Sequence, residues 1–176
     1  MKMLKKMAAL LLAGVMALAL LTACGDEAPA NPVTAAKKVE DGYLAIVNQS
    51  SDVKYENDAE LQKAARNALK SIDNDGKVEK AYGLIGEPTE DGYSAYMISV
   101  DTSGTVNGKY TAIALTADAV DQISSPEVTK ALTQYYKALF ASLNNSGCTV
   151  SKIAIGAETR GEKTYVAFAV TVTRNK

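Results

Sequence analysis

The chain has no histidine and no tryptophan, and only two cysteines and two phenylalanines among 176 residues. The missing histidine excludes most. It removes Ser-His and Cys-His nucleophile pairs, histidine-based zinc sites and the commonest general base near neutral pH. Carboxylate, lysine and tyrosine chemistry survive. Two cysteines cannot staple a disulfide-rich fold, so apolar packing has to hold the core. An excess of one charge is also lacking: 19 basic residues face 20 acidic ones, a formal net charge of −1. No basic patch stands out, which speaks against nucleic acid as a partner. No motif selects a metal or an organic cofactor, and none is expected.

A run long enough to cross a bilayer is missing as well. Met7 to Leu20 is almost wholly apolar, but a spanning helix needs about 20 such residues, and Gly25-Asp26-Glu27 follows closely. Lys2, Lys5 and Lys6 precede the run and small residues close it, the layout of a secretory signal. The sequence Leu21-Thr22-Ala23-Cys24 resembles the lipobox of bacterial lipoproteins. That resemblance implies removal of residues 1–23 as a signal peptide and a diacylglycerol thioether on Cys24. It implies an envelope protein on the extracytoplasmic face of the cell membrane, with the membrane as partner through that lipid. Two or three acyl chains anchor firmly where one does not, because each buried methylene adds about 0.8 kcal/mol. Myristoyl and prenyl anchors need other end motifs, which are absent. With Cys24 acylated, Cys148 has no cysteine to pair with.

Residues 24–31 are small, acidic and proline-bearing, and read as a flexible tether. Residues 32–176 read as a single extracytoplasmic domain, long enough to bury a core. Asn31 and Pro32 are start signals for a helix in which Val39, Tyr43, Leu44 and Val47 recur at helical spacing, with Gly42 as a weak point. Asn57 or Asp58 caps a second helix with a stripe of Leu61, Ala64, Ala65, Ala68, Leu69 and Ile72. Asp73-Asn74-Asp75-Gly76 ends it. Its acid spacing departs from that of a calcium loop.

From Lys77 the period changes to two. Val78 to Ile85 reads as one short strand. Tyr93 to Val100 alternates, with Tyr96, Ile98 and Val100 on one face and Tyr93, Ala95 and Met97 on the other. Lys109 to Thr116 alternates again, and Asn107-Gly108 favours a tight turn, so these two strands are expected to pair as a hairpin. Ser124 or Ser125 caps the strongest helix, spanning 126–144, with Leu132, Tyr136, Leu139 and Phe140 on its apolar stripe. A second hairpin is expected from Thr149 to Ala157 and Lys163 to Thr173, one face in the core and one partly wet. The expected fold is α+β: N-terminal helices plus an antiparallel sheet of two hairpins, packed on the long helix.

Nine tyrosines stand out in a chain without tryptophan. Tyr82, Tyr93, Tyr96 and Tyr110 lie on or near the first strands and are the candidate binding residues. Together on an exposed face they would stack on sugar rings or contact a partner protein. The plainer alternative is that they rim the core with their hydroxyls in water. Cys148 follows a helix C-terminus, the wrong end of the dipole for a reactive thiolate, and reads as a buried structural residue. Glu87, Glu90 and Asp91 form an acidic loop cluster whose spacing selects no catalytic pair.

Tyr43-Leu44-Ala45-Ile46-Val47-Asn48, then Val53-Lys54-Tyr55, then Leu61 with Ala64, Ala65 and Ala68, resembles the opening of the CAP family. Val150 to Gly156 with Lys163-Thr164-Tyr165 is similar to that family's terminal hairpin. The family's paired histidines and central glutamate motif are missing, so no site residue carries over. The expected function is a membrane-anchored, non-catalytic binding domain for an envelope protein or glycan. A small envelope enzyme working with carboxylates, or a degenerate CAP-like domain, is the alternative. A two-lobed solute-capture protein needs a longer chain.

Overall fold

The computed structural model describes residues 32–85, 88–89 and 92–175. Cys24 with its lipobox, the tether, the Asn31 cap and the acids Glu87, Glu90 and Asp91 lie outside the described residues.

Helix α1 runs over Pro32–Gln49 and buries Val39, Tyr43, Ile46 and Val47. A mid-helix glycine costs about 1 kcal/mol against alanine. Gly42 is accounted for by packing, since a Cβ there would collide with the Ile123 side chain. Helix α2, Ala59–Leu69, is capped by Asp58, whose carboxylate accepts from the Leu61 amide at 3.1 Å. Strands β1 (Lys77–Val78), β2 (Tyr82–Ile85), β3 (Pro88–Thr89), β4 (Gly92–Val100), β5 (Thr102–Val106) and β6 (Lys109–Ala112) follow. A short helix α3, Ala117–Asp121, is capped by Thr116. Helix α4, Pro126–Asn145, starts as its sequence dictates: Ser125 accepts from the Val128 amide, Pro126 opens the first turn, and Glu127 sits where the dipole favours an acid. Strands β7 (Cys148–Arg160) and β8 (Lys163–Asn175) form the closing hairpin.

The fold is α+β with two antiparallel sheets. The larger has strand order β2-β4-β8-β7 with β3 beside β4, and the smaller has the order β1-β6-β5. The expected pairing of the 93–100 and 109–116 strands does not occur. The Asn107-Gly108 turn forms, with φ of 53° and 75°, but it joins β5 to β6. Strand β4 instead runs along β8, from Gly92 opposite Asn175 to Val100 opposite Ala167. The polar stretch after Val100 reads as loop because β5 is an edge strand, exposed at every position after Thr102. The 78–85 segment also divides at buried Ala81, sending β1 and β2 to different sheets.

The expectation that one face of β8 is partly wet holds only at the end of the strand. Every residue from Thr164 to Val170 is buried, and the wetter face begins only at Thr171 and Thr173. Helices α1, α3 and α4 cover Val166, Phe168, Val170 and Val172. Helix α2, with Val78 and Ala112 of the smaller sheet, covers Tyr165, Ala167 and Ala169. Small residues make that second contact possible. A Cβ at Gly156 would lie 2.7 Å from the Arg66 backbone nitrogen and 2.8 Å from the Ala65 Cβ. On α4, Leu132, Tyr136, Leu139 and Phe140 are all buried as the stripe predicts.

Candidate functional site

Of the four tyrosines singled out in the sequence, only Tyr110 has a described side chain. It is half-buried on β6, opposite Val78 and Thr105, against the apolar residues beneath α2. The side chains of Tyr82, Tyr93 and Tyr96 lie outside the described residues. Their backbones belong to the larger sheet, Tyr82 opposite Ser99, Tyr96 between Ile85 and Thr171, and Tyr93 between Pro88 and Arg174. Tyr110 therefore does not share a sheet with the other three. Cys148 is 3% exposed and its thiol donates to the Ser146 carbonyl at 3.7 Å, as a structural cysteine would. The Asp73 carboxylate accepts from the Asp75 and Lys77 amides, and the Lys77 amide is the main reason its pKa is lowered. Among the described residues no three acidic or cysteine side chains gather to hold a metal ion, and no helix is long and apolar enough to cross a membrane.

Two features stand out instead. The first is a cleft of ≈ 460 Å³ where the end of α1, the 50–55 loop, α4 and the start of β7 meet. Its lining includes the nearly parallel rings of Tyr55 and Phe140, with centroids 6.3 Å apart. Exposed Gln49, Asp52, Lys137 and Asn144 add amide groups and charges of both signs. The loop is tied down by Asn48. Its Nδ2 donates to the Tyr55 carbonyl at 2.9 Å, and its Oδ1 accepts from the Tyr55 amide at 2.7 Å. The Lys54 ammonium donates to the Asn48 carbonyl at 2.6 Å. Such a loop needs little further ordering to receive a ligand.

The second is a cluster around Asp101, the residue between β4 and β5. Tyr43 on α1 donates its hydroxyl to Asp101 Oδ2 at 3.0 Å. Tyr135 and Tyr136 of α4 pack edge to face with centroids 5.1 Å apart, and Tyr136 rests on Phe168. Burial raises the Asp101 carboxyl from its ordinary 3.8 to about 7, against the Tyr43 hydrogen bond, which pulls the other way. Burial first, and then the Asp101 charge, push the hydroxyls of Tyr43, Tyr135 and Tyr136 above their usual range. The group can hold or release a proton near neutrality, but no second raised carboxyl accompanies it among the described residues. Nothing in the sequence marks Asp101, which opens what reads as a polar loop. Asn48 to Tyr55 reads in the sequence as a polar turn, and the two residues are otherwise marked only by the CAP resemblance.

No family model matches the chain, and no curated protein or solved structure matches it either.

Proposed function

We propose that this chain is a lipid-anchored binding module of the bacterial cell envelope. Residues 1–23 direct export, Cys24 carries the lipid, and the domain docks an envelope protein or glycan without catalysis. The lipobox supports the location. The cleft beside Tyr55 carries the binding reading, because apolar ring surface bordered by a few fixed polar groups is how small sites gain both affinity and orientation. Tyr82, Tyr93, Tyr96 and Tyr110 are further contact candidates in this reading.

Cys24→Ala tests the anchor. It should abolish labelling with radioactive palmitate and block cleavage before residue 24; persistent labelling would sink the assignment. For docking, Asn144→Trp places bulk at the cleft from an exposed position. Pulldown from solubilised envelope should lose partners that the unaltered chain retains. Equal capture by both would move the binding face elsewhere.

Asp101 is the one observation that favours the carboxylate-enzyme alternative. A lone raised acid lacks the partner carboxyl that glycoside chemistry uses. Asp101→Asn would abolish turnover in an enzyme and leave capture intact in a binding module. The CAP-like alternative rests on the residues already named, and the Asn48–Tyr55 clamp joins the first two of those segments.

A further inference from the structure

We propose that Asp101 is a pH-operated latch between the two sheets. With its carboxyl protonated it closes the joint onto α1 and α4, and on ionising it admits water and loosens the β5–β6 hairpin.

The position makes Asp101 a joint. It is the single residue between β4 of the larger sheet and β5 of the smaller. Its amide donates to the Val166 carbonyl on β8 at 3.0 Å, and its carbonyl accepts from the Ile113 amide, just after β6, at 2.9 Å. One residue thus pins both ends of the hairpin to the larger sheet. Its side chain fastens the same point to α1 through Tyr43.

The surroundings suit a neutral carboxyl and not a charged one. Tyr43 faces it from α1, and Tyr135 and Tyr136 from α4. Among the described residues no lysine or arginine pairs with it, and the Tyr43 hydroxyl is the one group that favours its ionised form. The same fold buries another carboxylate differently. Glu40, 2% exposed, receives two hydrogen bonds from Arg66 and one from the Ala157 amide. A buried carboxylate is tolerated when paired and hydrogen-bonded in that way, and is costly otherwise. Asp101 lacks that provision. Part of the residue still reaches solvent.

The hairpin is the part that yields. Beyond Thr102 every β5 residue is exposed, so moving β5 uncovers little apolar surface, while Tyr110 and Ala112 of β6 remain the hairpin's apolar hold beneath α2. The Thr102 hydroxyl beside the joint is buried and has no hydrogen-bond partner among the described residues. Few buried contacts and an exposed edge characterise segments that open at low free-energy cost.

Amide hydrogen exchange on the full chain tests the latch. Protection over residues 101–113 is compared at pH 5.5 and pH 8 after removing the intrinsic pH dependence of exchange. The unaltered chain should lose roughly tenfold or more of its protection there at pH 8, and Asp101→Asn should show no such loss. Unchanged protection in the unaltered chain, or an equal loss in the variant, would overturn the proposal. Should the variant fold poorly, the carboxyl ¹³C titration of Asp101 in the unaltered chain decides. A midpoint near neutrality is expected, moving upward in Tyr43→Phe, and a midpoint below about 5 refutes the latch.

Discussion

Glu40 and Arg66 clasp the edge strand β7 from opposite sides of the larger sheet. Glu40 comes from α1 on one face and Arg66 from α2 on the other, and the guanidinium meets the carboxylate at 2.8 and 2.7 Å. The same carboxylate accepts from the Ala157 amide at 2.9 Å. Asn57 and Gln62 treat Ile155 likewise, taking its amide and supplying its carbonyl. The open edge of β7 is thereby closed by side chains, which removes a template for unwanted strand pairing.

The clasp is asymmetric, and so are its variants. The Glu40 side chain is 3% exposed and the Arg66 side chain 48%. Arg66→Met strands a buried carboxylate and should cost about 3–5 kcal/mol. Glu40→Gln keeps an acceptor for the Ala157 amide and frees an arginine that water can solvate, so about 1–2 kcal/mol is expected. Urea unfolding of both variants measures the order. A larger loss from Glu40→Gln would show that the pair is not held as described.

Gly156→Ala should destabilise by about 1–3 kcal/mol, because the new methyl meets helix backbone that cannot give way cheaply. Gly83→Ala in β2 is the control, since among the described residues nothing lies within 4 Å of a Cβ there. Thermal unfolding should separate the two. Equal effects would mean that α2 does not approach β7 as closely as the contact requires.

Signals that act over a few residues were legible in the sequence. Asp58 and Ser125 cap the helices they were expected to cap, and Asn107-Gly108 makes its turn. The β7–β8 hairpin closes on itself, so its pairing is local as well. The partner of β4 was not legible, because β8 lies some seventy residues away and a nearer alternating strand offered itself. Ala167 and Ala169 on β8 read as part of a partly wet face, although small residues are what allow a helix to lie there. Asp101 was missed for the same reason: its burial comes from α1 and α4, and a polar strand at a sheet edge hides it. Of the cleft lining, Val53, Tyr55 and Val150 had a sequence signal through the CAP resemblance, and Phe140 through the stripe of the long helix.

Cys148 should label slowly with a thiol reagent in the native state and quickly after denaturation. Its 3% exposure limits access to the sulfur, and access is one of the two controls on the rate. Stopped-time labelling with mass readout suffices. Rapid native labelling at neutral pH would make Cys148 a functional candidate and place the enzyme reading ahead of the binding module.

Global stability should fall as pH rises from about 4 to about 7. Asp101 is raised in the folded chain from 3.8 to about 7, so over that window the folded state holds a proton that the unfolded state has released. Stability then declines with pH until both states are ionised. A shift of that size corresponds to about 4 kcal/mol at most, less because part of Asp101 reaches solvent. The acid limb has the opposite sign. The hydrogen bond from Lys152 chiefly lowers Asp58, and that from the Lys77 amide chiefly lowers Asp73. Their contribution is present above the ordinary carboxyl range and is lost as pH falls through their lowered values. Maximum stability is therefore expected near pH 4–5, below the usual neutral optimum. Asp101→Asn should flatten the neutral limb alone, and Asp73→Asn should weaken the acid limb alone, leaving the part that Asp58 supplies. Unfolding midpoints in urea from pH 3 to pH 8 check both limbs. A stability that rises between pH 5 and pH 8 would refute the burial of the Asp101 carboxyl among Tyr43, Tyr135 and Tyr136.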